Sequence, residues 1–219
     1  MDDRINEYKI FLNQDEQKLS AVKKRIRTLS ILRFLSFSGI LVAVIFLPRI
    51  SVNLSWCLAI ILLVFFLLFV KTFIQKEKEK KFLERLIKIE RDEMLALNEV
   101  YEQFDHGSEF SDPGHAYTFD LDIFEKGGLF QFLNRTSTTE GKKRLATLLS
   151  TPEEDKTALL RKQEALNELA EIVRWRNFFA AHASGAQLQK IPGEITMNER
   201  IDNPSGFLLM IRIFPVIKY

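Results

Sequence analysis

The chain has 219 residues, 47% of them hydrophobic and 27% charged, with a formal net charge of +2. A balance so close to neutral makes no electrostatic case for a nucleic-acid binder, and a single cysteine, Cys57, rules out an internal disulfide and matches no zinc spacing. The averages conceal two stretches, 34–47 and 54–70, that contain no charged residue.

Residues 1–30 read as a cytosolic amphipathic helix, with Ile5, Tyr8, Leu12, Leu19, Val22, Ile26 and Leu29 mostly three, four or seven apart. This strongly charged start has no apolar core followed by a small-residue cleavage site, which argues against a cleaved secretory signal. Residues 31–74 follow as a two-helix transmembrane hairpin. Its first run is ILRFLSFSGILVAVIFL, Ile31–Leu47, and its second is LSWCLAIILLVFFLLFV, Leu54–Val70, extended by Phe73 and Ile74. Each approaches the length that crosses about 30 Å of hydrocarbon. Only Pro48–Asn53 connects them, which forces an antiparallel arrangement. Cys57 is read as a small apolar filler. Lys23, Lys24, Arg25, Arg27 and Arg33 precede the hairpin, and Lys71, Lys76, Lys78, Lys80 and Lys81 follow it, whereas the connector carries only Arg49. The excess of basic residues places both tails in the cytosol, with Trp56 near the outer interface.

A second amphipathic helix is expected over 75–104, with Phe82, Leu86, Ile89, Leu97, Val100 and Phe104 as its apolar positions. The KEKEKK run at Lys76–Lys81 reads as a solvated helix face near anionic lipid. Residues 105–117, DHGSEFSDPGHAY, are rich in turn formers and read as a linker. His106 and His115 have no regular metal-ligand spacing there. Beyond it, Ser137-Thr138-Thr139-Glu140 predicts a helix capped by Ser137, carrying Leu145, Leu148 and Leu149 and stopping before Pro152. Thr151-Pro152-Glu153-Glu154 predicts a second capped helix, burying Leu159, Leu166, Leu169 and Val173 and running to about Ala183. No long period-two alternation occurs, so the fold is expected to be all-α.

The stretch HAYTFDLDIFEKGGLFQFLNRTSTTEGKKRLATLL, His115–Leu149, resembles the MutS family, in particular its membrane-anchored bacterial branch. The matching elements are Asp120-Leu121-Asp122-Ile123-Phe124, Leu129-Phe130 and Leu133-Asn134-Arg135-Thr136, followed by Thr138, Gly141 and Leu145. Leu160–Leu169, LRKQEALNEL, is similar to the family's next helix. One departure is Glu125-Lys126-Gly127-Gly128, where relatives tend to carry a Gly-x-Gly-Ser-like turn. The resemblance covers roughly residues 112–200. It implies a MutS core-like helical domain over 118–203, part of the core and lever that connect a DNA clamp to an ATPase. It further implies ATP and magnesium as cofactors of full-length relatives, DNA as a partner, and a homodimer. Asn134, Arg135 and Thr136 are expected to cap and buttress, and Phe124, Leu129, Phe130 and Leu133 to form core. Lys142, Lys143 and Arg144 are candidate phosphate contacts.

A MutS ATPase needs a glycine-rich loop ending in Gly-Lys-Ser/Thr, and these 219 residues contain none. Nor is there a Ser/His/Asp set, a carboxylate pair in a plausible cleft or a metal motif, so catalysis and a cofactor of its own are not expected. Phe207–Ile217, FLLMIRIFPVI, begins another apolar run, read together with 204–219 as the start of a truncated membrane segment. Two functions remain. One is the membrane-anchor and helical-core portion of a MutS-like, DNA-linked ATPase at the bacterial cytoplasmic membrane. The alternative is a membrane-tethered scaffold or signalling adaptor that binds protein partners.

Overall fold

The structure, a computed structural model, describes residues 2–46, 48 and 52–185. The last part of the expected core-like domain (186–203), the apolar segment 204–219 and most of the 48–53 connector lie outside the described residues. All regular structure among them is helical. The α-helices are α1 Asp2–Phe46, α2 Val52–Leu97, α3 Leu129–Leu133, α4 Thr139–Ser150, α5 Lys156–Glu171 and α6 Val173–Ala183, with a 3-10 turn at Ser108–Phe110.

Helices α1 and α2 are long because nothing in their sequences stops them; neither contains proline, and Gly39 is their one glycine. They pack in antiparallel order. Arg91 bonds Glu16 at 2.8 Å and Lys23 approaches Glu84 at 3.6 Å. Farther along, Arg33 lies 4.4 Å over the Phe73 ring, and Ser55 Oγ donates to the Ala43 carbonyl at 2.7 Å. The covered residues of α1 step alternately by four and three: Tyr8, Leu12, Asp15, Leu19, Val22, Ile26, Leu29, Arg33, Ser36, Ile40 and Ala43. Those of α2 do the same through Ser55, Ala59, Leu62, Phe66, Phe69, Phe73, Lys76, Lys80, Leu83, Ile87, Glu90, Met94 and Leu97. This is the 3.5-residue repeat of a left-handed coiled coil, which keeps one seam facing the partner over the full length. From Tyr8 onward the apolar positions expected for α1 all lie on it. In α2 the expectation caught, apart from Leu97, a different stripe. Phe82 stacks against Phe178 and His182 of α6, and Leu86 is fully buried beside it. α2 has two partner helices, so it carries two apolar stripes, and the charged residues on the α1-facing seam hid the first.

Both helices are long and apolar enough to cross a membrane, and only 6% of the most apolar window of each is covered by the rest of the molecule. Cys57, expected as filler, is exposed on the outer surface. α2 stops at Leu97, short of the expected Phe104, because Glu99 turns into the left-handed region at φ 64°.

Residues 105–117 do not form a free linker. Phe110 and Tyr117 pack on a cluster of Ile123, Phe124, Phe130 and Ala146, together with Leu145 and Leu149. Tyr117 Oη donates to the Leu149 carbonyl at 2.8 Å. His115 Nδ1 accepts from the Tyr117 and Thr118 amides, so its Nε2 carries the proton and donates to the Ser150 carbonyl at 3.1 Å. Turn-rich composition marked irregular backbone but not its side-chain packing. Leu129 and Leu133, expected in the core, are exposed on the outer side of the one-turn helix α3, which turns Phe130 and Gln131 inward.

Helix starts also move. Thr138, not Ser137, caps α4, accepting from the Gly141 amide at 3.1 Å. Glu140 is then one position too early to reach back, and the capping box is not formed. Thr151 ends α4 rather than opening α5: its amide bonds the Thr147 carbonyl, and Pro152 holds it extended. Asp155 caps α5 through the Thr157 amide at 2.8 Å. α5 does not run on to Ala183. Ile172, at φ −96° and ψ 56°, breaks it from α6, whose Val173, Asn177 and Ala181 form a buried stripe with a spacing of four. Of the positions expected to be buried here, Val173 is, whereas Leu159, Leu166 and Leu169 are exposed.

Candidate functional site

Two acids interrupt the apolar seam at one level. Asp15 of α1 and Glu90 of α2 are both fully buried. Arg174, from the first turn of α6, reaches between them. Its Nη2 lies 2.7 Å from Asp15 Oδ2, and its Nη1 bonds Glu90 Oε1. The guanidinium is also flanked by the Phe11 and Phe178 rings at 4.9 and 4.7 Å, so a planar cation is held on its faces as well as its edge. Lys18 bonds Asp15 at 3.0 Å from the solvent side. Burial pushes the Glu90 carboxyl up to about 7, the Asp15 charge adds to the rise, and Arg174 opposes it. Burial and the Asp15 charge outweigh Arg174 and Lys18, which leaves Glu90 as a proton acceptor that titrates near neutrality.

A second polar group ties the segment after α2 to the loop before α4. Gln131 Nε2 donates to the Phe104 carbonyl at 2.7 Å while its Oε1 accepts from the Gly127 amide at 2.7 Å. Asn134 Nδ2 donates to the Asp105 carbonyl at 2.9 Å, and its Oδ1 accepts from the Thr136 hydroxyl and amide. Arg135 pairs with Glu93 at 2.7 Å and stacks 3.8 Å over Phe104. Burial raises the Glu93 carboxyl against the pull of Arg135. Between this loop, α2 and α6 lies an open cleft of about 910 Å³, lined among others by Lys88, Ile89, Arg135, Thr138, Trp175 and Phe179.

The structure therefore brings Asn134, Arg135, Thr136, Thr138 and Gly141 to one cleft wall. Asn134 links the Asp105 carbonyl to the Thr136 amide and hydroxyl. Phe124, Phe130 and Leu145 lie in the core cluster, away from the cleft. Asp120 and Asp122 are exposed, and Asp122 adopts φ 50° in the turn before α3. That turn explains the double glycine. Gly127 sits at φ 85°, and any Cβ on Gly128 would overlap the carbonyl oxygens of Asp122, Ile123 and Glu125. Lys142 is bound by Asp105 and Glu109, whose carboxyls are held below their usual range first by that lysine, and Lys143 pairs with Glu140 at 3.2 Å. Two of the three candidate phosphate contacts thus meet carboxylates, and Arg144 is exposed.

Asp15, Glu90, Arg174 and Gln131 escaped the sequence reading. Extending the heptad from Tyr8 and Leu12 lands on Asp15, so that acid was discoverable. Arg174 was not, because it enters the seam from a third helix. Among the described residues no three His, Cys, Asp or Glu side chains are grouped to hold a metal. Comparison of the chain with protein-family models, curated proteins and solved structures returns no match.

Proposed function

We propose that this chain anchors a helical headpiece to a membrane through a two-helix hairpin, and that the headpiece is the core portion of a MutS-like, DNA-linked ATPase. The observation that carries the anchor is the bare surface of the apolar halves of α1 and α2. Phe34, Leu35, Phe65 and Leu67 point outward there, while small residues face the partner helix. Ser36, Ala43, Ser55 and Ala59 are buried in the seam, and Gly39 lets the Leu62 side chain approach closely. Large residues outward and small residues between helices is the pattern of packing in lipid, where burying apolar side chains between helices gains little. The basic flanks put both tails on the cytosolic side, at the bacterial cytoplasmic membrane. A reporter active only outside the cytosol is expected to work when inserted at Ser51 and to fail at residue 1 or 219. Activity at either terminus overturns the orientation.

The MutS reading rests on the resemblance of 115–149 and on the position of Asn134–Thr138 at the junction of stalk and headpiece, where a connecting element would sit. It does not use Lys142 as a phosphate contact. An in-frame glycine-rich phosphate loop in the coding sequence after residue 219 supports this reading. A native protein that migrates at 25.5 kDa and binds no DNA overturns it.

A further inference from the structure

The open cleft of about 910 Å³ between α2, α6 and the 134–138 loop has a volume suited to a small molecule, and its charges are out of balance. Arg85, Lys88 and Asp92 reach it from one face of α2, and Arg176, Ala180 and Ala183 from one face of α6. The two alanines leave space that longer side chains would fill. Of the acids that line it, Glu93 is taken by Arg135 and Asp105 by Lys142. Asp92 is left against Arg85, Lys88 and Arg176. Lys88 acts on Asp92, and Arg176 on Glu93, only as longer-range attraction, and neither cation forms an ion pair among the described residues.

Further donors add to this excess. Thr138 and Gly141 bring the N-terminal end of α4 to the cleft, where peptide N–H groups favour an anion. Asn177, only 5% exposed, stands in the wall beside the Tyr8 hydroxyl, and its Nδ2 makes no hydrogen bond among the described residues. A buried donor without an acceptor is costly. Next to Arg176, the Trp175 and Phe179 rings stack with centroids 5.3 Å and planes 15° apart, and both are more than half exposed. Parallel rings beside an unpaired guanidinium form a shelf for a flat ring that carries negative charge. We propose that the cleft binds a small aromatic anion, a carboxylate or phosphate on a flat ring. The ring lies against Trp175 and Phe179, and the charge faces Lys88, Arg176 and the end of α4. Such a ligand touches α2, α6 and the 134–138 loop together, so it ties the headpiece to the stalk. A cation is disfavoured, because Asp92 is outnumbered.

The probes are para-nitrobenzoate and para-nitrophenyl phosphate, with uncharged para-nitrobenzyl alcohol as control, each titrated into the full chain in nonionic detergent. Binding is read from the Trp175 fluorescence lifetime in a Trp56→Phe background. Saturable quenching by one or both anions is expected, with the alcohol weaker by about tenfold or more. Lys88→Gln and Arg176→Gln each weaken the anion about fivefold, whereas Asp92→Asn tightens it about twofold or more by removing the opposing charge. A gain of affinity in Asp92→Asn is an effect that misfolding does not imitate. Failure of both anions to saturate below about 10 mM overturns the proposal. So does an alcohol that binds as well as the anions, which leaves a merely apolar groove. Affinities indifferent to Lys88, Arg176 and Asp92 place the quencher elsewhere and overturn it as well.

Discussion

At the scale of single residues, the most consequential are the two acids in the coiled-coil seam. Positions of this kind normally hold apolar side chains, and a buried ion group gains stability only when its geometry is completed. Here Arg174, with Lys18 on the solvent side of Asp15, completes it only in part, and the Glu90 carboxylate stays costly. Glu90 has a folded value near 7 against about 4.5 in an unfolded chain. A raised acid is protonated more readily in the folded state, so docking of α6 is strongest below about 4.5. It weakens as pH rises toward 7 and is level above that. The groups facing Glu90 are Asp15 and Lys18 from α1 and Arg174 from α6. The interval is worth up to about 3 kcal/mol. Glu90→Gln imitates the protonated form and should remove the dependence. Trp175 emission in a Trp56→Phe background, followed from pH 4.5 to 8, checks it. A titration that persists unchanged in Glu90→Gln assigns the effect to another group.

At the scale of elements, the informative case is α5. Its start was placed at Thr151 because a hydroxyl before proline and two glutamates has the composition of a cap. Thr151 instead closes α4, and the acid three residues after the proline does the capping. Asp155→Ala should therefore cost about 1 kcal/mol of α5 stability. Thr151→Ala should change it by less than ~0.5 kcal/mol, as is usual for an exposed side chain that does not cap the helix in question. Amide hydrogen exchange of residues 157–160 in the two variants separates the outcomes. Equal loss of protection in both returns the helix start to Thr151. The same element explains why its leucines misled: periodicity reports that a helix has an apolar face, never that something in the same chain covers it.

At the scale of the whole molecule, the headpiece is tied to the stalk through few groups. α6 docks on α2 by the Phe82, Phe178 and His182 rings, by Arg85 donating to the Ala181 carbonyl at 3.0 Å, and by the Arg174 triad. The Phe124–Phe130 cluster stands apart from these contacts and rests on residues 110–149. Arg174→Ala leaves two buried carboxylates facing one another with only the solvent-side Lys18 as counterion, a change worth about 3–5 kcal/mol. Hydrogen exchange is expected to show loss of protection in α6 and in 82–94 of α2, with 123–130 and 142–149 unchanged. Loss across all these segments would show that the headpiece and stalk fold as one unit.

The sequence by itself determined the two charge-free runs, their connection within a few residues, the all-helical character and the end of α4 before Pro152. These follow from composition, from the helical period and from proline's missing amide, all of which act within a few residues. Only the tertiary structure decided which stripe of α2 meets α1, which of Ser137 and Thr138 caps α4, and that residues 105–117 pack. It also decided that an arginine 159 positions from Asp15 would neutralise it. Those outcomes depend on which surfaces meet, and a buried charge is tolerated only where a distant segment delivers its counterion.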